Sequence, residues 1–184
     1  MLPANQCILY SGGAAGTEQF FGSLAESWGI EEVNYSFDGH QIERRRGVRI
    51  LTSEELTGKD VSLSYVSRLL HREYTKAPLF RKVLQSICWQ VSSGDQVLVV
   101  GSIQEDKTVK GGTGWGAEFA KICNKNLLVF DQPNDTWFTW EEDDWIKVID
   151  PVIQAKHFTA TGTRFLENNG RIAIQNIFAR SFSR

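Results

Sequence analysis

The chain has 184 residues, 41% of them hydrophobic and 23% charged, with 20 basic and 22 acidic side chains. That composition excludes a disordered chain, and the length gives one domain over 1–184 that buries roughly 70% of its extended-chain surface without staples. A formal net charge of −2 supplies no global field for DNA or an anionic membrane, so no nucleic-acid partner is expected.

Three cysteines, Cys7, Cys88 and Cys123, are too widely spaced for a zinc knuckle or a disulfide framework, and are expected to be buried thiols in a reducing compartment. His40, His71 and His157 lie on distant segments and do not pair at ligand spacing, so neither a metal nor a cofactor is expected. The start of the chain lacks the basic and apolar regions of a signal peptide, and no apolar run approaches the ~20 residues of a membrane span. The protein is read as cytoplasmic, with no membrane partner.

Taken in order, Cys7–Tyr10 reads as a buried strand that stops at Ser11-Gly12-Gly13. Thr17–Trp28 follows as a helix, with Phe20, Phe21, Leu24 and Trp28 at helical spacing and Gly29 as its stop. Val33–Phe37 and Val48–Leu51 are the next strands, separated by the basic triplet Arg44-Arg45-Arg46, which reads first as a solvated loop. Thr52–Glu55 is a helix start or turn. Val61–Tyr74 and Leu79–Val91 are helical by pattern, and Pro78 opens the second. Gln96–Val100 is β-branched and apolar on both faces, as a central parallel strand should be. The glycine run Gly111–Gly116 leads into a helix over Ala117–Asn124, and Leu127–Phe130 is a second doubly apolar strand. Trp137–Trp140 reads as an edge strand or tight loop, and Trp145–Ile149 as a short strand. Phe158–Ala160 runs into Thr161–Arg164, and a last helix covers about Gly170–Phe182.

Strands alternating with helices, the strongest strands being continuous apolar runs, predict an α/β fold. The expected architecture is a Rossmann-like three-layer open sheet, mostly parallel, with helices on both faces. Ligands of such sheets bind beyond the carboxyl ends of the strands. Three turns fall at that rim: Ser11–Gly16, Gly111–Gly116 and Thr161–Arg164. Glycines there let the backbone approach a ligand and aim N–H groups at an anion, helped by a helix N-terminus. The spacing fits neither a Walker A loop nor GxGxxG after the first strand.

Ser11-Gly12-Gly13 followed by Gly16, together with Gly111-Gly112-Thr113-Gly114 and Glu118, resembles the SLOG superfamily of Rossmann-like proteins. The opening is most similar to its YpsA and molybdenum-carrier branch. The second loop is similar to the PGGxGTxxE signature of the LOG and lysine-decarboxylase-like branch, with Trp115 where LOG enzymes have Thr and Lys110 where they have Pro. The resemblance implies a phosphate held by the glycines, Glu118 acting at the ribose of a nucleoside 5′-monophosphate as its N-glycosidic bond is cleaved, and a homodimer.

The residues also suggest roles directly. Ser11, Gly12, Gly13, Gly16, Gly111, Gly112, Thr113 and Gly114 are the candidate phosphate cradle, joined by Thr163 and Arg164 of the third loop. Glu118, in a helix facing the ligand, suits a catalytic carboxylate, or else a carboxylate favoured by the helix dipole. Trp115 offers a π-face to a base, or packs beneath the loop. Asp131, just past a central strand, suits a ribose hydroxyl or a turn cap. The expected function is binding of a nucleotide or nucleotide-derived phosphosugar. The alternative is a non-enzymatic ligand-sensing or interaction subunit, on the evidence of Trp137, Phe138, Trp140 and Trp145.

Overall fold

Residues 97–100 and 127–130 show why the sheet has helices on both sides. Val97 and Val99 are buried with Leu127 and Val129 in one apolar layer, and Leu98 and Val100 with Leu128 and Phe130 in the other. Successive side chains of a strand point to opposite faces, so an apolar run of this kind is stable only when covered twice. The computed structural model of the protein describes residues 1–183.

Its strands are β1 (Leu2–Pro3), β2 (Ile8–Ser11), β3 (Glu31–Ser36), β4 (Val48–Ile50), β5 (Gln96–Gly101), β6 (Asn126–Asp131), β7 (Thr136–Glu141), β8 (Asp144–Val148), β9 (His157–Gly162) and β10 (Phe182–Ser183). Its helices are α1 (Thr17–Trp28), α2 (Ser53–Thr57), α3 (Asp60–Leu69), α4 (Pro78–Ser93), α5 (Thr113–Ile122) and α6 (Asn168–Ser181). The main sheet has the order β4-β3-β2-β9-β5-β6-β7-β8, and β1 pairs with β10 apart from it. The strands from β4 to β6 in that order are parallel, and β7 and β8 turn back as an antiparallel hairpin. Helices α1 and α6 cover one face, and α2 to α5 the other. This is the expected Rossmann-like three-layer arrangement.

Several elements depart from the sequence reading for visible reasons. The helix expected over Val61–Tyr74 ends at Leu69, because His71 takes a left-handed φ of 51°. Arg72 then leaves the helix to donate to the carbonyls of Gly111 and Val109. Helix α5 begins at Thr113, four residues before the expected Ala117, so four of the six residues of the glycine run are helical. Its glycines are small for packing: a side chain on Gly114 would begin 2.0 Å from the Val109 carbonyl oxygen, and one on Gly116 would begin 2.9 Å from Ile87. β7 is not an edge strand, since β8 pairs outside it. Cys7 and Cys88 are buried, but Cys123 is exposed, because it caps the end of α5 rather than lying on the helix's inward face.

The aromatic segment 137–145 is covered largely by the chain itself. Trp137 is buried against Phe130, and Trp140 packs edge-on to Trp145. The Lys121 ammonium sits 3.6 Å from the Trp140 ring centre and 4.7 Å from that of Trp145. No helix among the described residues is long and apolar enough to cross a membrane.

Candidate functional site

The strand order reverses direction at β2. From there the chain moves outward through β3 and β4, then returns to build β5 on the other side, with β9 inserted between. A crevice opens at the carboxyl ends of strands around such a switch point. Here it is a cavity of about 480 Å³ that all three rim loops reach: Ala14 and Ala15 from the first, Gly111 to Thr113 from the second, and Gly162 to Arg164 from the third. Helix α4 forms a wall with Phe80, Val83, Ser86, Ile87 and Gln90, and His40 reaches in from the loop after β3. A wider groove of about 530 Å³ lies between the β7–β8 hairpin and α6, lined by Trp137, Val148, Ile149 and Ile172 among others. It holds none of the rim glycines, so the smaller cavity is the candidate site.

The first loop is organised around a carboxyl within the chain. Glu18, in the first turn of α1 and only 6% exposed, accepts hydrogen bonds from the N–H groups of Gly12 and Ala14 (3.0 Å) and from the Thr161 hydroxyl (2.7 Å). Two of the N–H groups that a glycine loop would aim at a phosphate, those of Gly12 and Ala14, are thus taken by Glu18. Burial raises the Glu18 pKa above its ordinary 4.5, against the pull of those three donors. Gly13 takes a φ of 70°, and its carbonyl accepts from the N–H groups of Glu43 and Arg44. Gly16 has a φ of 86°, and any side chain there would begin 2.4 Å from the Arg164 carbonyl oxygen, so this glycine joins the first loop to the third. Ser11 is buried and donates to the Ala160 carbonyl (2.8 Å), tying β2 to β9 rather than facing the cavity.

The second loop reaches the cavity with its backbone. Helix α5 starts at Thr113, after Gly112, without a side-chain cap; the N–H groups of Gly114 and Trp115 donate to the carbonyls of Gly111 and Gly112 (3.2 and 3.1 Å), so only the backbone ahead of them is turned to the cavity. Gly111, Gly112 and Thr113 line the cavity beside Lys110, while Gly114 is packed against Val109. The third loop contributes Thr163 and Arg164, and it is stapled to α1 by the Thr17 hydroxyl, which donates to the Thr163 carbonyl (2.8 Å). Lys110 and Arg164 form no ion pair among the described residues, and Glu167 is the acidic group that also reaches the mouth. His40 is stacked on Phe37 at 4.4 Å with Nδ1 3.1 Å from the Ser36 hydroxyl, and burial lowers its pKa from the ordinary 6.5.

Eight of the residues expected at the site do not line the cavity: Ser11, Gly12, Gly13, Gly16 and Gly114, and also Glu118, Trp115 and Asp131. Glu118 does not line the cavity; its carboxylate pairs with Lys121 at 3.1 Å, on the side of α5 that meets the β7–β8 hairpin. Trp115 is 4% exposed and packs against Tyr74, because the helix has already begun and turns its ring inward. Asp131 is buried and its carboxylate is used within the chain, accepting from the Ile103 N–H (2.9 Å) and from the Asn134 side-chain amide. Glu18, Gln90, His40, Lys110, Phe80 and Phe165 are among the cavity residues that sequence reasoning missed. Only Glu18 and Lys110 carry a local signal, being next to glycine loops. No group of three His, Cys, Asp or Glu side chains placed to hold a metal ion occurs among the described residues.

No protein-family model, curated protein or solved structure matches this chain.

Proposed function

We propose that the protein binds a nucleotide or a nucleotide-derived sugar phosphate in this cavity, with the phosphate at the start of α5. The observation that supports this most is the pairing of an uncapped helix N-terminus with two cationic side chains, Lys110 and Arg164, that no carboxylate of the described chain engages. Backbone N–H groups, a helix dipole and a guanidinium fork together suit a phosphate. Phe80, 44% exposed and beside Gly112, offers a ring for a base to stack on.

Thermal-shift measurements with AMP, ribose 5-phosphate and inorganic phosphate test the reading. At about 100-fold over Kd a ligand adds roughly 2.7 kcal/mol, which for a domain of this size raises Tm by about 5–10 °C. No shift with either organic phosphate at millimolar concentration overturns the proposal. N-glycosidic cleavage of the bound nucleotide is a further part of it; Glu118 lies outside the cavity, and of the two carboxyls that line it, Glu18 and Glu167, the buried Glu18 is taken as the one that would serve. Release of free base from a nucleoside 5′-monophosphate, absent in Glu18→Ala, is the assay. A homodimer is proposed on the resemblance alone, and sedimentation velocity decides it.

A further inference from the structure

The Gln90 side chain is in an unusual position for a buried polar group. It lies on the inner face of α4, is 2% exposed and lines the cavity. Its backbone carbonyl is used by the Thr159 hydroxyl, yet its side-chain Oε1 has no hydrogen-bond partner. It is the one buried side-chain oxygen or nitrogen among the described residues left in that state. Native chains pair nearly all such atoms, and an exception calls for an explanation.

Its neighbour is Glu18. A side chain on Gly12 would begin 2.4 Å from Gln90 Nε2 and 2.9 Å from Glu18 Oε2, so both head groups converge on the space that this glycine leaves free. Glu18 already accepts from Gly12, Ala14 and Thr161. A carboxyl so engaged does not require a counter-cation, and the Gln90 amide, which turns its Nε2 toward the same space and keeps its Oε1 unpaired, is neutral. The group that completes the pair is therefore an uncharged donor. Position along α4 separates this pair from the phosphate end. Phe80 touches the Gly112 position, and Gln90 lies ten residues further, about 15 Å along the helix axis.

We propose that Gln90, with Glu18 beside it, forms a second subsite that takes an uncharged hydrogen-bond donor from the part of the ligand remote from its phosphate. A sugar hydroxyl and a base N–H share that chemistry. The inference rests on the nucleotide reading above.

Gln90→Leu tests it, because leucine fills similar volume without the polar group. Titration calorimetry with AMP is expected to show affinity lower by about tenfold, the upper range for one neutral hydrogen bond, with binding of inorganic phosphate unchanged. The ligand-free variant is expected to melt higher than wild type, since an unpaired buried acceptor has been removed. A merely structural glutamine gives the opposite pair of results, a lower melting point and unchanged AMP affinity, and that overturns the proposal. Gln90→Met repeats the test if the leucine variant does not fold. In wild type, 2′-deoxy-AMP losing the tenfold assigns the donor to the sugar, and purine riboside monophosphate losing it assigns the donor to the base. Full affinity for both analogues and for AMP in the variant refutes the subsite alone. Wild type that binds neither AMP nor ribose 5-phosphate removes the nucleotide reading and the subsite together.

Discussion

Arg44→Ala is expected to be among the most damaging single changes outside the apolar core. Glu32 has a side chain only 1% exposed, and Arg44 grips it as a fork, Nε to Oε2 and Nη2 to Oε1, both at 2.6 Å. That hydrogen bond is the main reason the Arg44 pKa is raised further. Gly22 makes room for the fork: a side chain there would begin 2.4 Å from Arg44 Cδ and Nε. Truncation leaves a buried carboxylate with only Arg46 at 3.2 Å and a long contact from Asn34 at 3.4 Å. Breaking such a pair from one side costs about 3–5 kcal/mol, and because Arg46 remains, the lower end applies. With a urea m-value of about 2 kcal/mol/M, the midpoint should fall by about 1.5 M. Arg45→Ala, next in sequence but exposed, should stay within about 0.5 kcal/mol of wild type. The double change Arg44→Met with Glu32→Leu should recover most of the loss, since no charge is left unpaired. A midpoint for Arg44→Ala within about 0.5 M of wild type, a shift of only about 1 kcal/mol, would refute the reasoning.

The folded Glu18 pKa stands above the ordinary value, so the folded state keeps a proton that the unfolded chain loses. Stability from this group is full below about pH 4.5 and declines as pH rises through the folded pKa. Glu18→Gln should therefore gain Tm over wild type progressively from acid to neutral pH, and a gap constant across that range contradicts the shift. Gly112 has a φ of −61°, and a side chain there meets only the Phe80 ring at 3.7 Å. Gly112→Asp should fold with Tm unchanged or slightly higher, a carboxylate at a helix start being worth about 0.3–1 kcal/mol. It should also lose phosphate and AMP binding, and calorimetry showing retained binding moves the phosphate elsewhere. Glu118→Gln should change AMP affinity less than about twofold, as expected of an exchange remote from the cavity; a loss of tenfold or more would return Glu118 to the site.

The apolar runs Val97–Val100 and Leu127–Phe130 were legible as central strands because burial on both faces is written into each residue. Gly29 ends α1 in a left-handed conformation with a φ of 76°, a stop that local chemistry also announces. The site was legible in outline only. Gly111, Gly112, Thr113, Thr163 and Arg164 do reach one cavity, but a glycine run carries no mark of where loop ends and helix begins. Reading Gly114 to Gly116 as loop placed Trp115 and Glu118 at the ligand, and an earlier helix start rotated both away. Glu18 has the composition of any first-turn carboxylate, and only the tertiary contact with Thr161 shows what it does. Gln90 lies 78 positions from Gly12, and no local pattern predicts that they meet. Arg44 and Arg46 likewise looked like solvent-facing charge, because their partner Glu32 is buried on β3, twelve or more residues before them.

The place of β9 bears on how the molecule comes into being. This strand, completed at Gly162, lies between β2 and β5 and pairs with both. Until it is made, the sheet exists as two unconnected halves, β2 to β4 and β5 to β8, each presenting a parallel edge that lacks its neighbour. Such edges invite pairing with other chains. Long-range parallel pairings also form slowly, because a large loop must close before any contact rewards it. A growing chain would therefore carry two aggregation-prone edges between the making of β5, which ends at Gly101, and that of β9, and the cavity would close around Thr161 only once β9 is made. Substitutions that weaken β9, such as Thr159→Pro, should lower the yield of soluble protein out of proportion to their position on a single strand.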